Sequence, residues 1–340
     1  MKYTEKILTI MRHITLAITY LALCLCCALS ANAQQVTFKL EAGAEALASN
    51  AATVQNEITT LLNEINSAAA KNRDLNLSKC KSIDEAAKLG LQGLWKEVHF
   101  SLEDKNITTP LLTNITGFEV RDIAIKMIKE SGSGGYSDAI DRELVIDLDK
   151  RGKIIAVMLA MDKNIYKQQF IKNGKTVRDE AERREIMKFV EQFRSYYVSK
   201  DIENLRKIFS DDAIIITGSL VMQTQKGDMK QSGQRKVKYK VQDREQYLES
   251  LGKVFNSVKY IDVQFSEIKI KKNGAHRGYY GVTLKQDWKT SGYCDTGWVF
   301  LLWDFRNPER PQIHVRTWQP DEIIGNEEDI MNMSDFYLND

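Results

Sequence analysis

From Leu47 the apolar positions fall at Leu47, Ala51, Val54, Ile58, Leu61 and Ile65, in steps that alternate four and three. That spacing keeps one stripe of a helix apolar, and predicts a helix with a single buried face. Ser82-Ile83-Asp84-Glu85 has the form of a capping box, so a second helix is predicted over residues 83–96. Strand-like runs follow at 98–103, 118–129, 143–149 and 153–162, the last two turned by Lys150-Arg151-Gly152. Residues 164–175 have no periodicity and read as a connection. Beyond them Thr176-Val177-Arg178-Asp179 caps a long helix to Val198, with Ile186, Phe189, Val190, Phe193 and Tyr197 on one face. Asp201 caps a short helix, and strands are expected at 213–217 and 236–241. A third helix is expected over 243–255, then long strands at 257–271, 278–288, 297–305 and 312–318.

Two distant stretches repeat one pattern. Gly135-Tyr136-Ser137-Asp138, Leu144-Val145-Ile146-Asp147-Leu148 and Lys153-Ile154 match Gly292-Tyr293-Cys294-Asp295, Leu301-Leu302-Trp303-Asp304-Phe305 and Gln312-Ile313. Upstream, Glu57-Ile58, Leu62, Ile65, Ser67 and Leu77 match Glu185-Ile186, Val190, Phe193, Ser195 and Leu205 at one constant offset. Helix first and strands later, twice over, reads as a duplicated α+β domain. The second copy carries roughly thirty extra residues, within ordinary loop and hairpin variation.

Helices followed by long antiparallel strands give an α+β fold: two cone-shaped domains, each with N-terminal helices packed on a strongly curved sheet. Phe193-Arg194-Ser195-Tyr196-Tyr197, Ile208-Phe209-Ser210-Asp211-Asp212-Ala213 and His314-Val315-Arg316-Thr317-Trp318 carry a more specific likeness. On these segments and the element order, residues 183–320 resemble the nuclear transport factor 2-like superfamily, which includes ketosteroid isomerases, scytalone dehydratases, polyketide cyclases and many non-catalytic domains. The first half looks like an abbreviated copy. The resemblance implies a fold and leaves function open, because so diverse a superfamily shares no single chemistry.

Lys2, Lys6 and Arg12 precede an apolar run from Ile14 to Leu29, and Ala31-Asn32-Ala33 supplies a small-x-small cleavage pattern. Residues 1–33 therefore read as a secretion signal peptide, and the expected localisation is secreted or periplasmic. The expected organisation is 34–163 for the first domain, 164–176 for the linker, 177–320 for the second domain and 321–340 for a loosely held acidic tail. No later stretch is apolar enough to cross a bilayer. Cys80 and Cys294 remain after cleavage, and composition alone does not decide whether they are bridged. The charge balance of 48 Lys+Arg against 46 Asp+Glu lacks the basic excess of a nucleic-acid binder. Lys226, Lys230, Arg235, Lys236, Lys238 and Lys240 instead suggest a solvated hairpin edge.

Strand alternation places Gln312, His314, Arg316 and Trp318 on one face. A ligand pocket lined from Tyr197, Trp288, Tyr293, Trp298, Trp303, Arg316 and Trp318 is expected inside the second cone. His314, Asp295 and Asp287 are the candidates for catalysis, none of them in a recognisable enzyme motif. The enzymes of the resembling superfamily pair an aspartate base with oxyanion donors, or a histidine with a carboxylate. Asp295 recurs as Asp138 and Asp304 as Asp147, which favours a structural turn role for Gly-Tyr-x-Asp. His99, His276 and His314 lack the spacing of metal ligands, and Ser131-Gly132-Ser133-Gly134-Gly135 lacks the lysine of a phosphate loop; no cofactor is expected. The reading is a non-catalytic protein that binds a small apolar ligand or a protein partner. An isomerase, dehydratase or cyclase is the alternative, and an internal pseudo-dimer or a homodimer the expected assembly.

Overall fold

The computed structural model describes residues 35–128, 142–171, 177–223 and 234–336. The expected signal segment, Tyr136 with Asp138, and the tip of the basic hairpin lie outside the described residues.

The first unit runs β1 (Thr37–Leu40), α1 (Ala51–Lys71), α2 (Glu85–Glu97), β2 (Phe100–Leu102), β3 (Asn106–Thr109), β4 (Leu111–Thr113), β5 (Gly117–Met127), β6 (Arg142–Asp149) and β7 (Ile154–Leu159). Its sheet has the order β2-β5-β6-β7, with β4 also on β5, while β1 and β3 form a separate parallel pair. The second unit runs α3 (Lys163–Ile171), α4 (Val177–Val198), α5 (Ile202–Ile208), β8 (Phe209–Gln223), β9 (Gln234–Gln242), α6 (Arg244–Ser257), β10 (Ile261–Lys272), β11 (Tyr279–Thr290), β12 (Cys294–Asp304) and β13 (Gln312–Pro320). Its six strands are ordered β10-β11-β12-β13-β8-β9. The fold is α+β, and both sheets are bent by bulges, at Val120/Ile123 in β5 and at Ser266/Lys269 in β10. Asp122 and Glu267 take positive φ there, as one extra residue on a bulged strand does to curve a sheet.

The two units follow one plan. β2-β5-β6-β7 corresponds in order to β10-β11-β12-β13, and α2 and α6 each begin after an aspartate N-cap, Asp84 or Asp243. The matched residues Ile154 and Ile313 each make a parallel pairing outward, to Ile83 and to Phe209. In the first unit that pairing is a single bridge; in the second it opens into the β8–β9 hairpin. The extra length of the second copy lies there.

Each long helix fills its own sheet. Ile58, Leu61, Leu62 and Ile65 of α1, and Ile186, Val190, Phe193 and Tyr197 of α4, are buried in the apolar core. The cap of α2 is Asp84, not Ser82. Its side chain accepts from the Ala86 amide, while the Ser82 carbonyl is taken by the Ile154 amide in the edge bridge. The stretch expected to be an irregular connection is helical as α3, because Tyr166 and Gln169 are buried between the units. The C-terminal segment is not loosely held up to residue 336. Asp321 accepts from the Trp298 indole at 2.9 Å and pairs with Lys285 at 3.0 Å, Ile330 is buried, and Phe336 stacks on Phe300. These contacts lay the segment over the outer face of the second sheet.

The polar face of α4 is buried as well, against the outer face of the first unit's sheet. Arg121 of β5 makes a two-pronged pair with Glu191 at 2.8 and 2.6 Å. Glu119 accepts from the Tyr166 hydroxyl at 2.5 Å, and Arg142 pairs with Asp262 at 2.9 Å. Arg194 donates to the carbonyls of Leu159, Ala160 and Val263, so it joins β7 to β10. Lys188 sits 2.6 Å from Glu185 and 3.3 Å from Asp147. One buried ammonium cannot fully neutralise two buried carboxylates, so the more distant one holds its proton more tightly than a free carboxyl does. Burial pushes the Asp147 carboxyl up to about 7, against the opposing pull of Lys188.

An acid whose folded-state affinity for a proton exceeds its unfolded one stabilises the fold while protonated, and that contribution fades as pH climbs between the two values. Stability in urea titrations should therefore fall between about pH 4 and pH 7, by up to about 1.4 kcal/mol per pH unit for one site. Asp147→Asn should remove that part of the slope; a variant with the parent's slope would contradict a proton held on Asp147.

Candidate functional site

Inside the second cone, the inward residues of β12 are Val299, Leu301 and Trp303, all in the apolar core. In β13 the residue opposite Leu301 is Arg316 and the one opposite Val299 is Trp318. Both therefore point into the cone. Trp318 lies across Gly297, where a Cβ would come within 2.7 Å of the indole carbons. Only a residue without a side chain lets the ring lie there.

Arg316 is 5% exposed. Its guanidinium carbon is 5.3 Å from the centroid of the Tyr247 ring. The hydroxyls of Tyr197, in the last turn of α4, and Tyr247, in α6, are 2.7 Å apart. Burial keeps the Tyr197 hydroxyl protonated far above its ordinary range, although the charge of Arg316 opposes it. Arg316 Nε has no hydrogen-bond partner, and among the described residues no carboxylate lies within ion-pair reach of the side chain. A guanidinium cannot shed its proton to relieve this.

Trp288 meets Tyr197 edge to face at 5.6 Å and stands opposite Asp295 in the β11–β12 register. Burial raises the Asp295 carboxyl; the Tyr293 hydroxyl, donating at 2.8 Å, and Arg316 pull the other way. Tyr293 itself is 59% exposed. The result is an aromatic cluster of Tyr197, Tyr247, Trp288 and Trp318 around a buried cation, with Trp288 and Trp318 half-buried and a carboxylate near its rim. Its chemistry suits an apolar body with one anionic group.

Other expected residues fall elsewhere. A bulge makes His314 the unopposed residue between Ile313, opposite Trp303, and Val315, opposite Leu302. The extra residue inverts the alternation, so His314 does not share the face of Arg316. It lies on the outer side beside Asp212 and Asp304, at 3.4 and 3.5 Å. Asp287 is exposed and accepts from Thr296, and so is not in the cone. Trp298 points outward to Asp321 rather than into the pocket. Trp303 points inward but is wholly buried among Phe189, Phe193 and Phe305. Cys80 is buried, Cys294 is exposed, and both are free thiols. Sequence reading missed Tyr247; its helical spacing with Leu251 and Phe255 was the available signal.

No family model matches the chain, and no curated protein matches it. Among solved structures, it is similar to a candidate dehydratase of the NTF2-like family from Streptomyces avermitilis, with 11% identity over 42% of this chain and 97% of that one, TM-score 0.30. An NTF2-like protein from Cytophaga hutchinsonii shares 12% identity over 43% of this chain and 99% of that one, TM-score 0.30. A protein from Bdellovibrio bacteriovorus shares 13% identity over 62% of this chain and 92% of that one, TM-score 0.32. Identities and scores this low carry nothing about activity.

Proposed function

We propose that this chain is an exported, non-catalytic binding protein whose second cone holds a small, largely apolar molecule by its anionic group. The observation that carries the reading is Arg316, a buried cation with an aromatic shell and no carboxylate at ion-pair distance among the described residues. Burying a charge that is met by the Tyr197 hydroxyl rather than by a carboxylate at ion-pair distance costs free energy, so such a group is expected where an incoming anion completes it. Trp288 and Trp318, both half-buried, supply the surface for the apolar body. Export is supported by the charged start, apolar run and Ala31-Asn32-Ala33 of the first 33 residues.

Asp295 favours a second reading, an isomerase, dehydratase or cyclase, since a carboxyl raised by burial beside a cation suits proton transfer. His314 supports it less, being outside the cone. Recovering the bound molecule after long incubation separates the two: an unchanged compound supports binding alone, and an isomerised or dehydrated one supports catalysis.

Thermal shifts with 2-naphthoate and decanoate, each against its neutral carboxamide, test the site. The acids should raise Tm more than the amides do. Arg316→Met should weaken acid binding about tenfold to a hundredfold and leave the unliganded Tm equal or higher. A large fall in that Tm, or an unchanged acid response, would mean that Arg316 is structural. N-terminal sequencing of protein recovered outside the cytoplasm should read from Gln34; a start at Met1 would refute cleavage.

A further inference from the structure

A separate cleft of about 400 Å³ opens where the first unit meets the opposite end of the second cone. Its apolar walls are Ile115, Ile186, Tyr280 and Phe305. The Tyr280 and Phe305 rings meet edge to face at 5.7 Å.

Ile115 is the informative residue. It sits in the turn between β4 and β5, where a polar residue would ordinarily face solvent. Here the polar residues of the turn are drawn inward instead. Asn114 donates to Asp147 and accepts from the amides of Thr116 and Gly117, while Thr116 donates to Glu185 and accepts from Lys188. The isoleucine is left 39% exposed at the cleft. A turn pinned this firmly holds its apolar side chain in place.

The charges of the lining are mostly spent. Lys272 and the Tyr280 hydroxyl both engage Glu182, Lys188 neutralises Glu185 from behind, and Arg306 is paired with Asp304. Arg277 has no carboxylate within ion-pair reach among the described residues. The cleft therefore combines an apolar interior with one uncommitted positive charge on its rim.

We propose that this cleft is a second ligand site, taking a small anion with a flat apolar body, a carboxylate or sulfonate, between the two units. The body lies against Tyr280, Phe305 and Ile115, and the anion meets Arg277. The site is distinct from the Arg316 cluster, and its ligand touches both units at once.

The probe is 8-anilinonaphthalene-1-sulfonate, titrated by fluorescence into the full mature chain. Saturable binding is expected in the native protein. Arg277→Glu and Ile115→Glu, both exposed positions where the fold should be unaffected, should each weaken it about fivefold or more, with Tm unchanged. Absence of saturable binding would overturn the proposal. An unchanged dissociation constant in either cleft variant would do so too.

Discussion

Helix α4 has no solvent side to spare. One face fills the second cone with Ile186, Val190, Phe193 and Tyr197; the other presses Glu185, Lys188, Glu191 and Arg194 against the first unit. Buried charges tolerate few arrangements, because each must find its partner at hydrogen-bonding distance. Once Arg121 meets Glu191 and Arg142 meets Asp262, the first sheet has one place to sit. Removing a single partner from such a pair costs about 3–5 kcal/mol, chiefly through the charge left behind. The ionic layer thus specifies the position of the units more than it strengthens their union.

That position has functional consequences at both ends of the second cone. At one end, the last turn of α4 delivers Tyr197 beside Arg316 and Trp288. At the other, the Asn114–Thr116 turn, fastened into the same ionic layer, holds Ile115 over the seam. Arg194 reaches carbonyls of β7 and β10 together, so one edge strand of each sheet is covered rather than left open to pairing with other chains. The outer face of the second sheet is shielded separately, by Asp321, Ile330 and Phe336.

Much of this plan was legible in the sequence. Steps of three and four gave α1 and α4, alternation gave the strands, and the repeated Leu-x-x-Asp blocks gave the shared order of β5-β6-β7 and β11-β12-β13. What escaped reading has identifiable causes. A bulge adds one residue without any sequence mark, and at His314 it reversed which side chains of β13 look inward. Trp298 belongs to a strand that is apolar on both faces, so alternation could not choose its side. The charged face of α4, and Glu119 and Arg121 in β5, have the pattern of ordinary solvent-facing residues. Their burial depends on partners some seventy residues away in the chain. Arg316 could be named from its strand, but its want of a carboxylate partner could be seen only in three dimensions.

The central claim is that the two units form one cooperative body, held in register by charges buried along α4. Differential scanning calorimetry of the mature chain tests it directly. One transition whose calorimetric and van't Hoff enthalpies agree is the predicted result. Two resolved transitions, one for each unit, would contradict it.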